Sequence, residues 1–465
     1  MIWARTQTCL EASLAVVYCW RPFKSLSTRS SGKHSDEPLN FKSVAPPRAR
    51  HAKKMSSVFL VAARRTPFGA FGGRLRDRSA ADLAFAAARA TLAAARVEPL
   101  AVDAVVAGNV QQTAPDAAYL PRHVALRLGM RDASTALGVN RLCGSGFQAA
   151  ISAVHTIRDG AAGLVLAVGA ESMSQAPLSL FGQQARFGTR LGAPPPLVDT
   201  LAAALVDSFA GCGMGDTAEE VARRYKVTRE EADAFALASQ QRFEAARAAG
   251  RLAAELAPLE LPAAKRGAPP ETMAADEHPR PATTAAALAK LTPVFKGVVT
   301  AGNASGITDG AGAMLLASEA ALAAHGLAPL AELRAWSVAG VDPKVMGLGP
   351  VPALIALTAN ARWPRGLTLA DVSHVEINEA FAPQVLGCER ALAGTAHALG
   401  AGALNPNGGA IAVGHPLGAS GARIIAHLAH SLAASGRRFG VGSACIGGGQ
   451  GIAVLIENVN ARAAT

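Results

Sequence analysis

Four residues of types that carry covalent acyl chemistry each stand in or beside an unusual turn sequence. They are Cys143 in Asn140-Arg141-Leu142-Cys143-Gly144-Ser145-Gly146, Asn378 in Asn378-Glu379-Ala380-Phe381, His415 in Gly414-His415-Pro416, and Cys445 in Cys445-Ile446-Gly447-Gly448-Gly449. A thiol becomes a nucleophile when its proton is removed, and the residues after Cys143, Ala149 to Arg158, have helical apolar spacing. The expectation is a cysteine at a helix N-terminus, where the dipole and free N–H groups favour the thiolate. Lowering a thiol pKa by about two units from about 8.5 is worth roughly 2.7 kcal/mol. The same dipole disfavours an imidazolium, so His415 ahead of its own helix is suited to be a neutral base. The glycines after Cys445 leave backbone N–H groups open to an oxyanion. Singly, each residue has a plainer reading: a packed structural cysteine, a satisfied histidine, or an asparagine that only forms a turn.

The elements that hold these residues follow a repeated rhythm. A strand at Ser57 to Ala63, a helix over about Ala80 to Ala95, a strand at Ala104 to Ala107 and a helix over about Tyr119 to Leu128 lead to the Cys143 turn. Its helix runs into a buried strand at Gly163 to Gly169. From Glu171 to about Thr300 the rhythm breaks, with a Pro run at Pro194 to Pro196 and one charged helical pattern over Ala218 to Ala249, which predicts a loop-rich lid. It then resumes: a helix over about Val351 to Ala361, a strand at His374 to Ile377, a turn at His415, a helix over about Ala422 to Ala434 and a strand into Cys445. Alternating strands and helices imply βα units and largely parallel pairing. Cys143 and His415 occupy corresponding turn-to-helix positions in two repeats, so packing the repeats together predicts that the two turns meet.

Composition narrows the alternatives. The 465 residues are half hydrophobic, with no apolar run of the roughly 18 to 20 residues that a spanning helix needs, which predicts no integral membrane segment. The six cysteines show no C-x-x-C pair and no zinc-type spacing, which predicts no metal site. Of the net charge of +11, +7 lies in residues 1–54, where ten Lys/Arg face three acidic residues. The body is therefore only mildly basic, which speaks against nucleic acid and suits a phosphate-bearing small molecule. That N-terminal extension, with its apolar patch Leu14 to Trp20, reads as a targeting segment leaning toward the mitochondrial matrix, or as a gene-model artefact; the peroxisome and cytosol are the alternatives. No P-loop motif is present, and the glycine run after Cys445 makes a poor dinucleotide fingerprint.

Taken together, the four motifs, with Arg64-Arg65-Thr66-Pro67-Phe68-Gly69 and Ala301-Gly302-Asn303-Ala304-Ser305-Gly306, resemble those of the thiolases, in order from about Val58 to Ile456. The resemblance implies a duplicated αβαβα layered α/β fold with mixed, mostly parallel sheets and an inserted loop subdomain. Its parts would be the extension 1–54, an N-terminal domain 55–320 that includes the subdomain at about 171–300, a C-terminal domain 325–458 and a tail 459–465. It implies an acyltransferase of fatty-acid β-oxidation that uses CoA as co-substrate, binds no permanent cofactor, cleaves 3-ketoacyl-CoA to acetyl-CoA and a shortened acyl-CoA, and forms a dimer or tetramer. Cys143 would carry the acyl group, His415 would activate it, and Cys445 would be the acid/base. One oxyanion site would use His415 and a water held by Asn378, the other the N–H groups of Cys143 and Gly447. Arg280, Thr283 and Ser305 match positions that contact CoA in similar thiolases. Gly213 stands where many of them have histidine. Acetoacetyl-CoA synthesis, decarboxylative ketoacyl condensation and a non-catalytic CoA- or RNA-binding protein are the rival readings.

Overall fold

The computed structural model describes residues 56–187, 192, 195–263 and 269–461. The extension 1–54 with Cys9 and Cys19, the first proline of the Pro194 to Pro196 run, and the last four residues of the tail lie outside the described residues.

Strands buried on both faces organise the molecule. The first half contributes β1 (Val58–Arg65), α1 (Ala80–Ala95), β2 (Ala104–Gly108), α2 (Leu120–Leu128), β3 (Thr135–Val139), α3 (Ser145–Arg158), β4 (Leu164–Ser172) and, after the insert, β5 (Thr308–Ser318). The second contributes β6 (Ala331–Gly340), α6 (Pro350–Thr358), β7 (His374–Ile377), α7 (Ala382–Leu392), α8 (Ser420–Ser435), β8 (Phe439–Ile446) and β9 (Gln450–Glu457). The insert carries α4 (Met214–Tyr225) and α5 (Arg229–Ala248).

These strands lie in the order β7-β8-β9-β6-β1-β5-β4-β2-β3. The halves repeat one another: β2 lies between β3 and β4 with parallel pairing on both sides, and β7 lies between β8 and a parallel bridge from Val375 to Leu404. Phe59 and Leu60 of β1 pair with Glu332 and Ala331 of β6, which joins the halves.

Alternation along single strands shows the layering. Val165 and Ala167 turn to a central cluster with Phe147 and Ile151 of α3 and Ile424 and Leu428 of α8, while Leu164, Leu166 and Val168 turn outward onto α1 and α2. In the second half Ile452 and Val454 face the same centre, and Ala453 and Leu455 face α6 and α7. The result is five layers, α-β-α-β-α, with α3 and α8 in the middle.

Two expectations are corrected. Pairing is not mostly parallel: β1–β5, β4–β5, β1–β6, β6–β9 and β8–β9 are antiparallel, because β8 and β9 form a tight hairpin and β5 arrives through the long insert. Nor is 218–249 one helix. Lys226, at φ 51°, caps α4 in the left-handed conformation, and Thr228 with Glu231 forms a capping box that starts α5. The insert is fastened to the body, since Arg65 at the end of β1 bonds Glu255 at 2.7 Å and Asp276 at 2.6 Å from within the core.

Candidate active site

The Cys143 turn is built by its own polar residues. Asn140 Oδ1 accepts from Leu142 N at 2.9 Å, Ser145 Oγ accepts from Arg141 N at 2.9 Å and donates to Leu142 O at 2.7 Å. These bonds hold Leu142 at φ 46°, a left-handed conformation costly for a branched side chain and typical of functional turns. Gly144 follows because a Cβ there would lie 2.5 Å from Ile446 Cδ1. The sulfur thus emerges at the N-terminus of α3, against a cluster formed by Met173, Leu201 and Leu417.

The helix end does not make a resting thiolate. Surrounding protein pushes the partly exposed Cys143 thiol up to about 11, with Glu171 adding to the rise, although the N–H groups of Gly447 and Cys143 itself, directed at the sulfur, pull the other way. Desolvation wins over the dipole here. Cys445 on β8 is fully buried beside Met346, Ala380 and Phe381, and its thiol is raised well above its usual range by burial and then by the facing sulfur of Cys143. The segments that carry the two thiols are in contact, since a Cβ on Gly144 would lie 2.5 Å from Ile446 and one on Gly447 3.3 Å from Leu142.

His415 lies in the turn before α8, its N–H bonded to Gly306 O at 3.0 Å. Its Nδ1 is 2.6 Å from Ser420 Oγ, and that hydroxyl donates its own proton to Pro416 O at 3.1 Å. With Nδ1–H donating to Ser420 Oγ, the lone pair lies on Nε2, the atom that the Asn378 amide nitrogen also approaches. Burial, and behind it the charge of Arg423, lowers His415 to about 4, so the imidazole is neutral as expected. Asn378 Nδ2 stands 3.4 Å from Nε2 and 3.5 Å from Nδ1, and Asn378 Oδ1 has no hydrogen-bond partner among the described residues. Asn378 itself is placed by Ser443 O, which accepts its N–H at 2.8 Å.

The His415 turn is tied to the loop after β2 by one residue that sequence reasoning missed. Glu171, fully buried at the end of β4, accepts from Gln111 N at 3.0 Å, Val110 N at 3.2 Å and Asn109 Nδ2 at 3.0 Å, and from Gly418 N at 2.8 Å in the His415 turn. Burial raises it to about 7. In the sequence it looked like the first residue of the insert. Ser420 was visible in Gly414 to Gly421 but carried no signal of its role.

A separate cavity of about 250 Å³ is lined by Gln240, His278, Arg280, Thr283 and Leu291 among others. Arg280 N donates to Gln240 Oε1 at 2.9 Å and Thr283 Oγ1 to Arg280 O at 2.7 Å, leaving the Arg280 side chain exposed at the rim. Ser305 does not line this cavity. Its N–H bonds Ala380 O at 2.9 Å, so it sits on the loop joining the cavity wall at Gly302 to Gly306, which holds His415. Gly213 is the N-cap of α4, donating to Asp216 Oδ2 at 2.8 Å. The one metal-type cluster among the described residues, His374, Glu376 and His427, has its ligand atoms within 4.8 Å, but Glu376 is paired with Arg423 and His427 with Glu255.

Comparison with known proteins identifies the family. Residues 58–320 match the thiolase N-terminal domain and residues 327–458 the thiolase C-terminal domain. Mitochondrial 3-ketoacyl-CoA thiolases of Bos taurus and Homo sapiens are each 51% identical over 406 residues, 87% of this chain and 99% of theirs. An acetyl-CoA acetyltransferase of Rhizobium meliloti is 41% identical over the same length. The crystal structure of human mitochondrial 3-ketoacyl-CoA thiolase in complex with CoA superposes with a TM-score of 0.82 at 50% identity, covering 87% of this chain and 98% of that one. Two family domains in series, with a cysteine turn from one half set against a histidine turn from the other, make this chain a member of the thiolase family.

Proposed function

We propose that this acyltransferase is a 3-ketoacyl-CoA thiolase, cleaving 3-ketoacyl-CoA with CoA to acetyl-CoA and a shortened acyl-CoA in mitochondrial fatty-acid β-oxidation. What supports the reading is the convergence of the α3 and α8 turns, which packs Leu417 of the His415 turn against Cys143 and brings Gly146 onto Gly418 and Gly421, with Asn378 beside the His415 ring. The greater identity to 3-ketoacyl-CoA thiolases, 51% against 41% for the acetyltransferase, favours cleavage of longer substrates over acetoacetyl-CoA synthesis.

At rest both Cys143 and His415 are uncharged, so the nucleophile is made during the reaction. His415 Nε2 takes the Cys143 proton as the sulfur attacks C3 of the substrate, and the developing oxyanion draws hydrogen bonds from donors already in place. As the oxyanion collapses the C2–C3 bond breaks, and its electron pair leaves on C2 as the acetyl-CoA enolate. Cys445, a neutral thiol, protonates that carbon. The Cys445 thiolate then takes the proton of incoming CoA, whose sulfur attacks the Cys143 thioester and expels the Cys143 thiolate, which takes its proton back from His415. The N–H groups of Cys143 and Gly447 serve one oxyanion, and His415 with a water on the free Asn378 Oδ1 serves the other. Arg280 and Thr283 would meet the CoA phosphates and adenosine at the mouth of the 250 Å³ cavity, with Ser305 on the loop toward the thioester. The protein would work as a dimer or tetramer.

Incubating the protein with 3-ketoacyl-CoAs of graded chain length and CoA tests the reading. Release of acetyl-CoA with the two-carbon-shorter acyl-CoA is expected, with an acyl adduct on Cys143 seen by mass spectrometry. Absence of CoA-dependent cleavage at every chain length would reject it.

A further inference from the structure

The His415 site draws its parts from two elements: His415 and Ser420 from α8 and the turn before it, and Asn378 from the residue after β7. Something must fix α8 against β7, because Asn378 meets the ring only at 3.4–3.5 Å. Val375 and Ile377 of β7 are buried in the outer layer, so Glu376, and Asn378 two residues on, turn toward the central layer where α8 lies. Arg423 is three residues beyond Ser420, on the same face of α8. Arg423 Nη1 bonds Glu376 Oε1, and both side chains are almost wholly buried, at 5% and 1% exposed. Among the described residues this is the ion pair that joins the two elements, directly behind the His415–Asn378 contact.

The pair is a poor device for stability. Glu376 Oε2 and Arg423 Nε and Nη2 make no hydrogen bond to the protein, and a buried ion pair so incompletely satisfied is often outdone by well-packed apolar residues. From this geometry we infer that Arg423, anchored by Glu376, is a positioning residue that holds the His415 turn in register with Asn378 and keeps a fixed positive charge behind the imidazole. The charge opposes an imidazolium, so His415 stays available as a proton acceptor. The other charged or titratable groups that the neighbouring elements bring to this turn are Glu171 from β4, on Gly418 N, Glu379 after β7, on Ile411 N, and the Cys143 and Cys445 thiols, while around the Arg423–Glu376 pair lie His374 of β7, His427 of α8 with its partner Glu255, and Arg65.

The inference rests on the proposed thiolysis, and the experiment separates the two. In the full chain, Arg423→Lys, Glu376→Gln and the apolar double variant Arg423→Met/Glu376→Leu are compared with wild type for melting temperature, kcat, KM and the pH dependence of Cys143 acylation. The double variant should fold with a melting temperature near that of wild type, yet lose about 30- to 100-fold in kcat with KM within about twofold. Its acidic limb of acylation should move to higher pH. Arg423→Lys, which keeps the charge but not the planar fork, should recover part of the loss. A folded double variant with wild-type kcat and pH profile overturns the inference. If that variant does not fold, Arg423→Lys and Glu376→Gln decide it: unchanged kcat in both overturns it. A wild-type protein without thiolysis would instead reject the functional reading.

Discussion

Gly146 of α3 and Gly421 of α8 meet backbone to backbone: a Cβ on Gly146 would stand 3.0 Å from Gly421 N, and one on Gly421 would stand 2.8 Å from the Gly146 carbonyl carbon. That contact sets the two helix N-termini together, and with them the turns that carry Cys143 and His415.

Gly146→Ala should therefore act on both stability and chemistry. The new methyl would fall 2.5 Å from Ala422 N, which is backbone and cannot rotate away. A loss of roughly 2–3 kcal/mol is expected, read as a lowered urea midpoint with an unchanged slope, together with a fall in kcat. Stability within about 0.5 kcal/mol of wild type would mean that the helices can part without cost.

The two thiols should separate by chemistry. Cys143→Ser should abolish acyl-enzyme formation and cut kcat by about a thousandfold or more, whereas Cys445→Ser should still acquire an acyl group on Cys143 while turning over slowly. Intact-mass spectra after brief exposure to 3-ketoacyl-CoA make the comparison. Equal labelling in both variants would refute the division of roles.

The protonation state of the resting nucleophile is open to direct measurement. With the Cys143 thiol raised to about 11, its thiolate fraction is small at neutral pH and grows with each added unit. Inactivation by iodoacetamide without substrate should rise about tenfold per pH unit between about 7 and 9, with no plateau. A plateau reached near pH 7 would show a preformed thiolate and restore the simple helix-dipole expectation.

Arg280→Ala probes the proposed CoA mouth. The side chain is exposed and its backbone holds the local fold, so thermal stability should not change. The KM for CoA should rise about tenfold with kcat within about twofold, the pattern of lost uniform binding. An unchanged KM would place the CoA phosphates elsewhere.

Much of this molecule was legible in its sequence, and the exceptions have physical causes. The helix over 80–95 was legible, and the structure starts it with a Ser79–Asp82 capping box; the correspondence of the Cys143 and His415 turns follows from the repeated rhythm. Strand direction was not legible, because long connections such as the insert between β4 and β5 say nothing of which way the next strand enters the sheet. The role of Glu171 arises from a tertiary contact, 247 residues apart in the bond from Gly418 N, while that of Ser420 depends on how one tight turn aims the His415 ring. The charge on Cys143 is a contest between a local dipole and desolvation, and only the second depends on how the halves close.

The seam between β1 and β6, where Phe59 and Leu60 pair with Glu332 and Ala331, makes one sheet of two half-molecules whose reactive groups are not copies of each other. The proposed nucleophile lies in one half alone, while its proposed base, amide and second thiol lie in the other. With those proposed roles divided across the seam, neither half holds a complete set, and a disturbance on one side would reach the whole reaction.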